Sequence, residues 1–565
     1  MTVENLILDA SRREEDALNS RRFHSAAPRR FVASCLAIRV LSLQSERVSL
    51  RLRLWEAVSA SRFWLVAVLI PLALAVMPAS VSQLAASVSS PRVAYLGPCE
   101  RLSRLTTLRA SASTRGARII AVTFYLDGKP LGSDVTKPYR LDIDAGALRA
   151  GTHRVSVVAV DSLGRRGKSR STTVTVVARH GRSIVVSPGR GLARALARLS
   201  HGNVTVRLRP GHYELSDVWL ASNTRLVGSG ASTVISARSG SYDGILVVNG
   251  RHVRISDLVL DGSGPGPGDG QGIAVRPGAA DVRISRLEIR RVRNTGIDAW
   301  GHYSNISVQD SVINGAGRAD TGVLFEQGAS SNSSVIRTRV SGFRSYGIDF
   351  AFVPHDNPTA ALHALALDNV VTDVTDPTVA DGTSEGGIWS GGVEAALIGN
   401  VIRRTGWDGI ETVGSSQRAS IVANTISATG TGIYLEHATN NSRISGNQIS
   451  RIDTGIDVEW RYDGIRSSRN RFIGNTVSSA KQGIFVEVGN DGNRVERNVF
   501  ISVLTPVVFQ GSSNNTAGGN RACGNSDAVV TQSNARSEGG ALVNPKNNHL
   551  TDNLSSTCSR LVARR

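Results

Sequence analysis

The stretch TGIYLEHATNNSRISGNQISRIDTGIDV (431–458) begins and ends on the same phrase: glycine, an aliphatic residue, a variable one, another apolar one. The phrase recurs as GILV (244), GIAV (272), GIDA (296), GVLF (322), GIDF (347), GIWS (387), GIET (409), GIYL (432), GIDV (455) and GIFV (483). The spacing is about 22–28 residues, with one jump of about 40 between Gly347 and Gly387 that suggests an inserted loop. A fixed period of this kind is the signature of a solenoid, in which each unit buries its apolar face only against its neighbours. Leucine-rich repeats have a similar length but need regularly spaced leucines, which are absent.

Each coil carries a second strand around an asparagine, in IGNVI, VANTI, SGNQI, IGNTV and RNVF. These place Asn400, Asn424, Asn447, Asn475 and Asn498 in register. Asparagine tolerates left-handed turns, and stacked amides satisfy one another from coil to coil, so this ladder reads as structural. Ahead of the repeat, GLARALARLSHG (191–202) has the spacing of a short amphipathic helix, followed by VTVRLRPGHYEL. An open solenoid end exposes its core, and a helix placed there is expected to cap it. The pattern predicts an all-β chain, with a right-handed parallel β-helix over 183–555. It resembles the repeat of pectate lyases, polygalacturonases and alginate epimerases, the pectate-lyase-like superfamily.

Residues 91–180 read differently. VTFYLDGKPLG (122–132) and HRVSVVAVDSLGR (153–165) alternate with period two and turn at Asp127-Gly128 and Gly151, as a half-buried antiparallel sandwich requires. With KPYRLDID (137–144) they resemble bacterial immunoglobulin-like (Ig-like) modules, which implies a spacer or accessory binding role. Further upstream, FWLVAVLIPLALAVM (63–77) is uncharged, follows Arg62 and leads into small residues. Fifteen apolar residues suit a signal peptide or signal anchor, here within 61–90, after a basic extension over 1–60. The chain is therefore expected to be secreted or held at the cell surface, meeting a membrane only through that segment if it is uncleaved. Of the four cysteines, Cys523 and Cys558 could staple the C-terminal tail.

The net charge of +19 is uneven. Roughly +11 falls between Pro91 and Arg182, and roughly +4 on each of the N-terminal extension and the repeat. No nucleic-acid motif or aromatic interleaving accompanies it, so no nucleic-acid partner is implied; an anionic glycan or cell-wall polymer suits it as well.

Within the phrase, residues two and four point inward and residues three and five outward. The outward positions are Asp298 and Trp300, Leu324 and Glu326, Asp349 and Ala351, Trp389 and Gly391, Glu411 and Val413, Tyr434 and Glu436, Asp457 and Glu459, Phe485 and Glu487. His302, Tyr303, His437, Trp460, Arg461 and Tyr462 follow the strands, where loops would overhang the same face. Coils stack about 4.8 Å apart, so neighbouring carboxylates raise one another's pKa, which suits acid–base work or a bound cation. Rings along the row suit stacking on sugars. Oxygen-only ligands such as Asp298, Glu326 and Asp349 would suit calcium; no other cofactor is implied.

YGIDFAFVPHD (346–356) resembles the Y-G-x-D-P-H motif of alginate epimerases, with Pro354 and His355 displaced by the intervening FAFV. The resemblance implies that Asp349, with a nearby histidine or tyrosine such as His355, abstracts the proton beside a uronate carboxylate, which Arg461 would neutralise. The catalytic candidates are Asp349, His355, Asp298, Glu326, Glu411 and Arg461. The binding candidates are Trp300, His302, Tyr303, Trp389, Tyr434, Glu436, His437, Asp457, Glu459 and Trp460. The expected function is lyase or epimerase chemistry on a polysaccharide, a uronan first. The alternatives are a glycoside hydrolase, although the N-T-D, D-D and G-H-G signatures of polygalacturonases are missing, and a non-catalytic glycan-binding or structural protein.

Overall fold

The computed structural model describes residues 90–97, 101–102, 105–145, 148–177, 183–189, 191–238, 242–262, 270–326, 332–350, 363–376, 386–436, 438–459, 466–524, 528–536 and 541–556. The apolar segment at 63–77 lies outside them, as do His355, His437, Trp460, Arg461, Tyr462 and Cys558. Cys523 is disulfide-bonded.

From Ile184 to Ser556, 35 strands join in one continuous sheet in chain order, and every ladder in it is parallel. The chain therefore winds as a parallel β-helix. Each coil contributes to three ribbons. In one coil the first ribbon takes Thr295–Ala299, the second Ser304–Gln309, and the third the start of the strand Val312–Phe325, which runs on into the first ribbon of the next coil. The apolar residue after each glycine stacks in the core: Ile388, Ile410, Ile433, Ile456 and Ile484 are in register and fully buried. The glycine is steric. A Cβ on Gly432 would come 2.4 Å from the Gly455 carbonyl and 2.5 Å from Ile449 Cγ2, so this position faces inward where only hydrogen fits.

The asparagine ladder is present and longer than the five residues read from the sequence. It runs Asn369, Asn400, Asn424, Asn447, Asn475, Asn498, Asn520, Asn553. Asn447 Nδ2 donates to Asn475 Oδ1 at 2.9 Å and to the Ile421 carbonyl at 3.0 Å, while its Oδ1 accepts from the N–H and Nδ2 of Asn424. The left-handed corner is not the asparagine but the residue ahead of it: Gly399, Ala423, Gly446, Gly474 and Arg497 all have φ between 54° and 67°. The asparagine instead ties the coils on either side of that corner. At the N-terminal end the helix Leu192–His201 buries Ala195 and Leu199 in the solenoid core, the capping role its spacing predicted.

Two antiparallel sheets form the sandwich: Arg92–Gly97, Leu105–Ser113 and Arg140–Asp144 against a sheet centred on Gly151–Asp161 and Ile119–Leu126. Phe124, Leu141 and Val157 lie in its core. The sandwich is not a loose spacer. Ile120, Ala121 and Val160 pack on Ile336, Leu367, Ile398 and Val422 of the second ribbon. Alongside, the Gln309 amide pairs with the backbone of Ser133 in both directions, at 2.9 and 3.1 Å, and Arg166 bridges to Asp368 at 2.6 Å.

Candidate functional site

The outward row of the first ribbon stacks in the order Ala274, Asp298, Leu324, Asp349, Trp389, Glu411, Tyr434, Asp457, Phe485. A second row on the same face was missed by simple alternation. It is formed by the residue ahead of each glycine: Gln271, Thr295, Thr321, Tyr346, Gly386, Asp408, Thr431. Strict period two would turn Asp408 inward with Ile410. Because the glycine itself is tucked toward the core, the residue before it comes back onto the outer face. Gln271 shows this directly, donating its amide to Asp298 Oδ2 of the next coil at 2.5 Å.

The two rows bring one cluster together. The Tyr346 ring lies 6.3 Å from that of Trp389, tilted by 53°, and over Gly386, where a Cβ would sit 3.0 Å from it. Trp389 donates its indole N–H to Glu411, and Glu411 is hydrogen-bonded to Glu436. A bond between two carboxyls requires a proton on one of them. Burial, then the charge of Glu436, pushes Glu411 up to about 8. Burial, then Glu326, pushes Asp349 up to about 8. Burial likewise raises Asp408, which Thr431 hydrogen-bonds, and Asp457, which faces Glu487 and Glu459. Asp349, Asp408 and Asp457 each keep one buried carboxyl oxygen that the protein does not satisfy. Burial, then Glu411, Asp349, Asp408 and Glu436, holds the Tyr346 phenol protonated far above its ordinary range. Four carboxyls therefore surround one phenol and one indole.

Other candidates fall elsewhere. Asp298 is buried beneath Gln271 and separated from Asp349 by the coil of Leu324. Tyr303 is not a surface ring: it is 3% exposed, packs on Phe325 and donates to the Glu326 carbonyl, because the chain after Trp300 turns into the core. Glu436 is also buried, so it meets Glu411 rather than solvent. Trp300 is exposed, with Arg276 5.2 Å over its ring, and His302 is exposed nearby. Tyr434 lies in the row next to Glu411, while Glu326 and Glu459 line its edge. Among the described residues no group of three or more histidines, cysteines or carboxylates is placed to hold a metal, the Asp298, Glu326 and Asp349 set included. A cleft of about 580 Å³ between sandwich and solenoid, lined by Arg118, Lys137 and His363, contains none of the stacked carboxyls.

A right-handed β-helix region family model matches residues 364–522, and a bacterial Ig domain model matches residues 97–157. The chain is thus a right-handed parallel β-helix protein carrying a bacterial Ig-like domain. No curated protein matches it. Among solved structures it is similar to the A-module of a mannuronan C-5 epimerase from Azotobacter vinelandii, at 16% identity and TM-score 0.40, over 63% of this chain and 92% of that one. A family 28 exopolygalacturonase from Yersinia enterocolitica gives 12%, 0.41, 83% and 99% in the same order. The catalytic domain of a GH87 α-1,3-glucanase gives 11%, 0.37, 83% and 89%. What those enzymes act on belongs to them; the fold assigned here rests on the strand ladders and the two family matches.

Proposed function

We propose that this chain is an exported carbohydrate-active enzyme that holds a polysaccharide along the first ribbon and cleaves it by proton transfer, as a glycoside hydrolase. The observation that carries the reading is the stack Asp349–Trp389–Glu411, in which two carboxyls flank an aromatic platform. Asp349, protonated near neutrality, is the general acid toward the leaving oxygen. The Glu411–Glu436 pair, sharing a proton, has capacity left to activate water. Asp349 and Glu411 lie two coils apart, about 10 Å between backbones. That separation fits the roughly 6.5–9.5 Å carboxyl spacing of inverting hydrolysis better than the roughly 5 Å of retention.

Proton abstraction from a uronate is favoured less, for two reasons. From Tyr346 to Glu459 the outward rows hold no lysine or arginine among the described residues, so a uronate carboxylate would meet several carboxyls and no cation from these rows. The Tyr346 phenol and the Asp349 carboxyl both hold their protons, leaving neither ready as a base. A neutral glycan suits the row better. Epimerase or lyase chemistry stays as the second reading, on the Tyr346–Gly347–Asp349 match. The test is incubation of the protein with neutral glucans, mannans, alginate and polygalacturonate. New reducing ends without ultraviolet-absorbing product are expected, reduced at least about 100-fold in Asp349→Asn and Glu411→Gln. Unsaturated, absorbing product would establish the lyase instead, and variants as active as wild type would remove the site.

A further inference from the structure

The second ribbon changes character along the solenoid. One outward row runs Arg225, Arg254, Arg283, Ser307, Ser334, Leu365, Ala396, Ser420, and then Arg443, Arg471, Arg494. The first arginines are tied into the protein, Arg283 to the Ser133 carbonyl of the sandwich at 2.9 Å and Arg254 to the Val253 carbonyl at 3.1 Å. The middle of the row is uncharged, and its Leu365 and Ala396 lie in the apolar patch on which the sandwich rests. Past the sandwich, three arginines stand in register on successive coils, about 4.8 Å apart. From Ser307 to Ser420 serine, leucine or alanine occupies the same position on five successive coils, so the fold does not require arginine there. Like charges directly opposite one another on adjacent strands are destabilising, which makes the stack a feature the fold carries against its own interest.

Two further guanidiniums join it. Arg497 stands at the exposed corner beside Arg494. Arg165 reaches over from the sandwich, fixed by Asp161 at 2.7 Å and Thr114 at 2.8 Å, with its Nη1 buried and unpartnered. Burial, then the charges of Arg471, Arg497 and Arg165, holds Arg443 below the ordinary arginine value. Among the described residues the carboxylate acting on Arg443 is Glu496, which Arg494 already holds at 2.8 Å.

We propose that Arg443, Arg471, Arg494 and Arg497, with Arg165 of the sandwich, form a second binding surface for an anionic polysaccharide, on a different ribbon from the carboxyl row. Guanidinium groups pair with carboxylates in a planar, two-bond geometry, and a straight ladder of them matches a chain bearing one anionic group per sugar. None of the exposed aromatic rings among the described residues, Trp219, Trp300 and Trp407, lies on this ribbon, so bases would find nothing to stack on. Such a surface would hold the protein on a charged matrix while the first ribbon works on a neutral chain.

The test uses the full chain carrying Glu411→Gln, so that loss of turnover and loss of binding stay separate. It is titrated with polygalacturonate, neutral dextran and a single-stranded oligodeoxynucleotide. Polygalacturonate is expected to bind, and to weaken at least about tenfold in Arg471→Gln/Arg494→Gln/Arg497→Gln with an unchanged melting temperature. The control Arg339→Gln/Arg403→Gln/Arg451→Gln removes the same charge from exposed arginines on other strands and is expected to lose less than about threefold. Equal loss in both triples would reduce the effect to net charge and overturn the site. So would absence of polygalacturonate binding, or tighter binding of the oligonucleotide through the same arginines.

Discussion

Asp349 and Glu411 are acids that the fold keeps protonated, and this sets two pH trends of the same sign. As the general acid, Asp349 works below about 8, so activity is expected to fall as pH rises through that value. Stability runs the same way. An unfolded carboxyl ionises near 4, whereas these hold their protons to about 8, so the folded state loses stability relative to the unfolded between those pH values. Asp349→Asn removes the penalty. Its unfolding free energy is expected to match wild type at pH 4 and to exceed it at pH 9 by roughly 1–3 kcal/mol, after allowance for partial exposure. Equal pH slopes for the two proteins would show that Asp349 ionises normally. Strand parity alone found Asp349, Trp389 and Glu411. It missed Asp408 and the position of Tyr346 because the inward glycine breaks the alternation just where they sit. It misplaced Tyr303 because no periodicity governs a residue beyond the strand end.

At the level of the element, the repeated unit is held by two inward columns of different chemistry, aliphatic and amide. Removing one amide from mid-ladder orphans groups on both neighbouring coils. Asn447→Ala would leave the Asn475 Oδ1, the Ile421 carbonyl and the Asn424 N–H and amide short of a partner. The expected cost is about 2–4 kcal/mol, since buried unsatisfied groups cost roughly 1–3 kcal/mol each and some relax. Asn553→Ala, at the half-exposed end of the column, is expected to cost under about 1 kcal/mol. Denaturant midpoints of the two variants measure the difference, and equal midpoints would mean that the amide column adds nothing beyond local turns. The column was legible in IGNVI, VANTI, SGNQI, IGNTV and RNVF, where an apolar residue stands two places after the asparagine. Asn369, Asn520 and Asn553 escaped because LDNVV, GGNRA and TDNLS carry the same register in altered words. The capping helix was legible in full, since its period of 3.6 contrasts with everything after it.

At the level of the whole molecule, the sandwich and the solenoid share a small apolar seam, and its origin could be seen only with the coils in register. Ile336, Leu367, Ile398 and Val422 are scattered singly through the sequence at outward positions, where each alone is unremarkable. Stacked on successive coils they make one strip, and Ile120, Ala121 and Val160 cover it. Breaking the seam should uncouple the domains without unfolding either, because each has its own core. Val160→Asp buries a charge in the apolar strip, where its cross-strand neighbour Arg166 is already engaged by Asp368, a penalty of several kcal/mol if the seam stays closed. Opening the seam avoids that penalty and leaves a linked pair of domains. The expected result is two separate unfolding transitions in place of one, with limited proteolysis releasing sandwich and solenoid as intact fragments. Val160→Ala, which shortens the contact but adds no charge, is expected to keep a single transition. A single transition in Val160→Asp as well would mean that the polar contacts, Gln309 to Ser133 and Arg166 to Asp368, hold the domains together unaided, and that the apolar strip only fills the space between them.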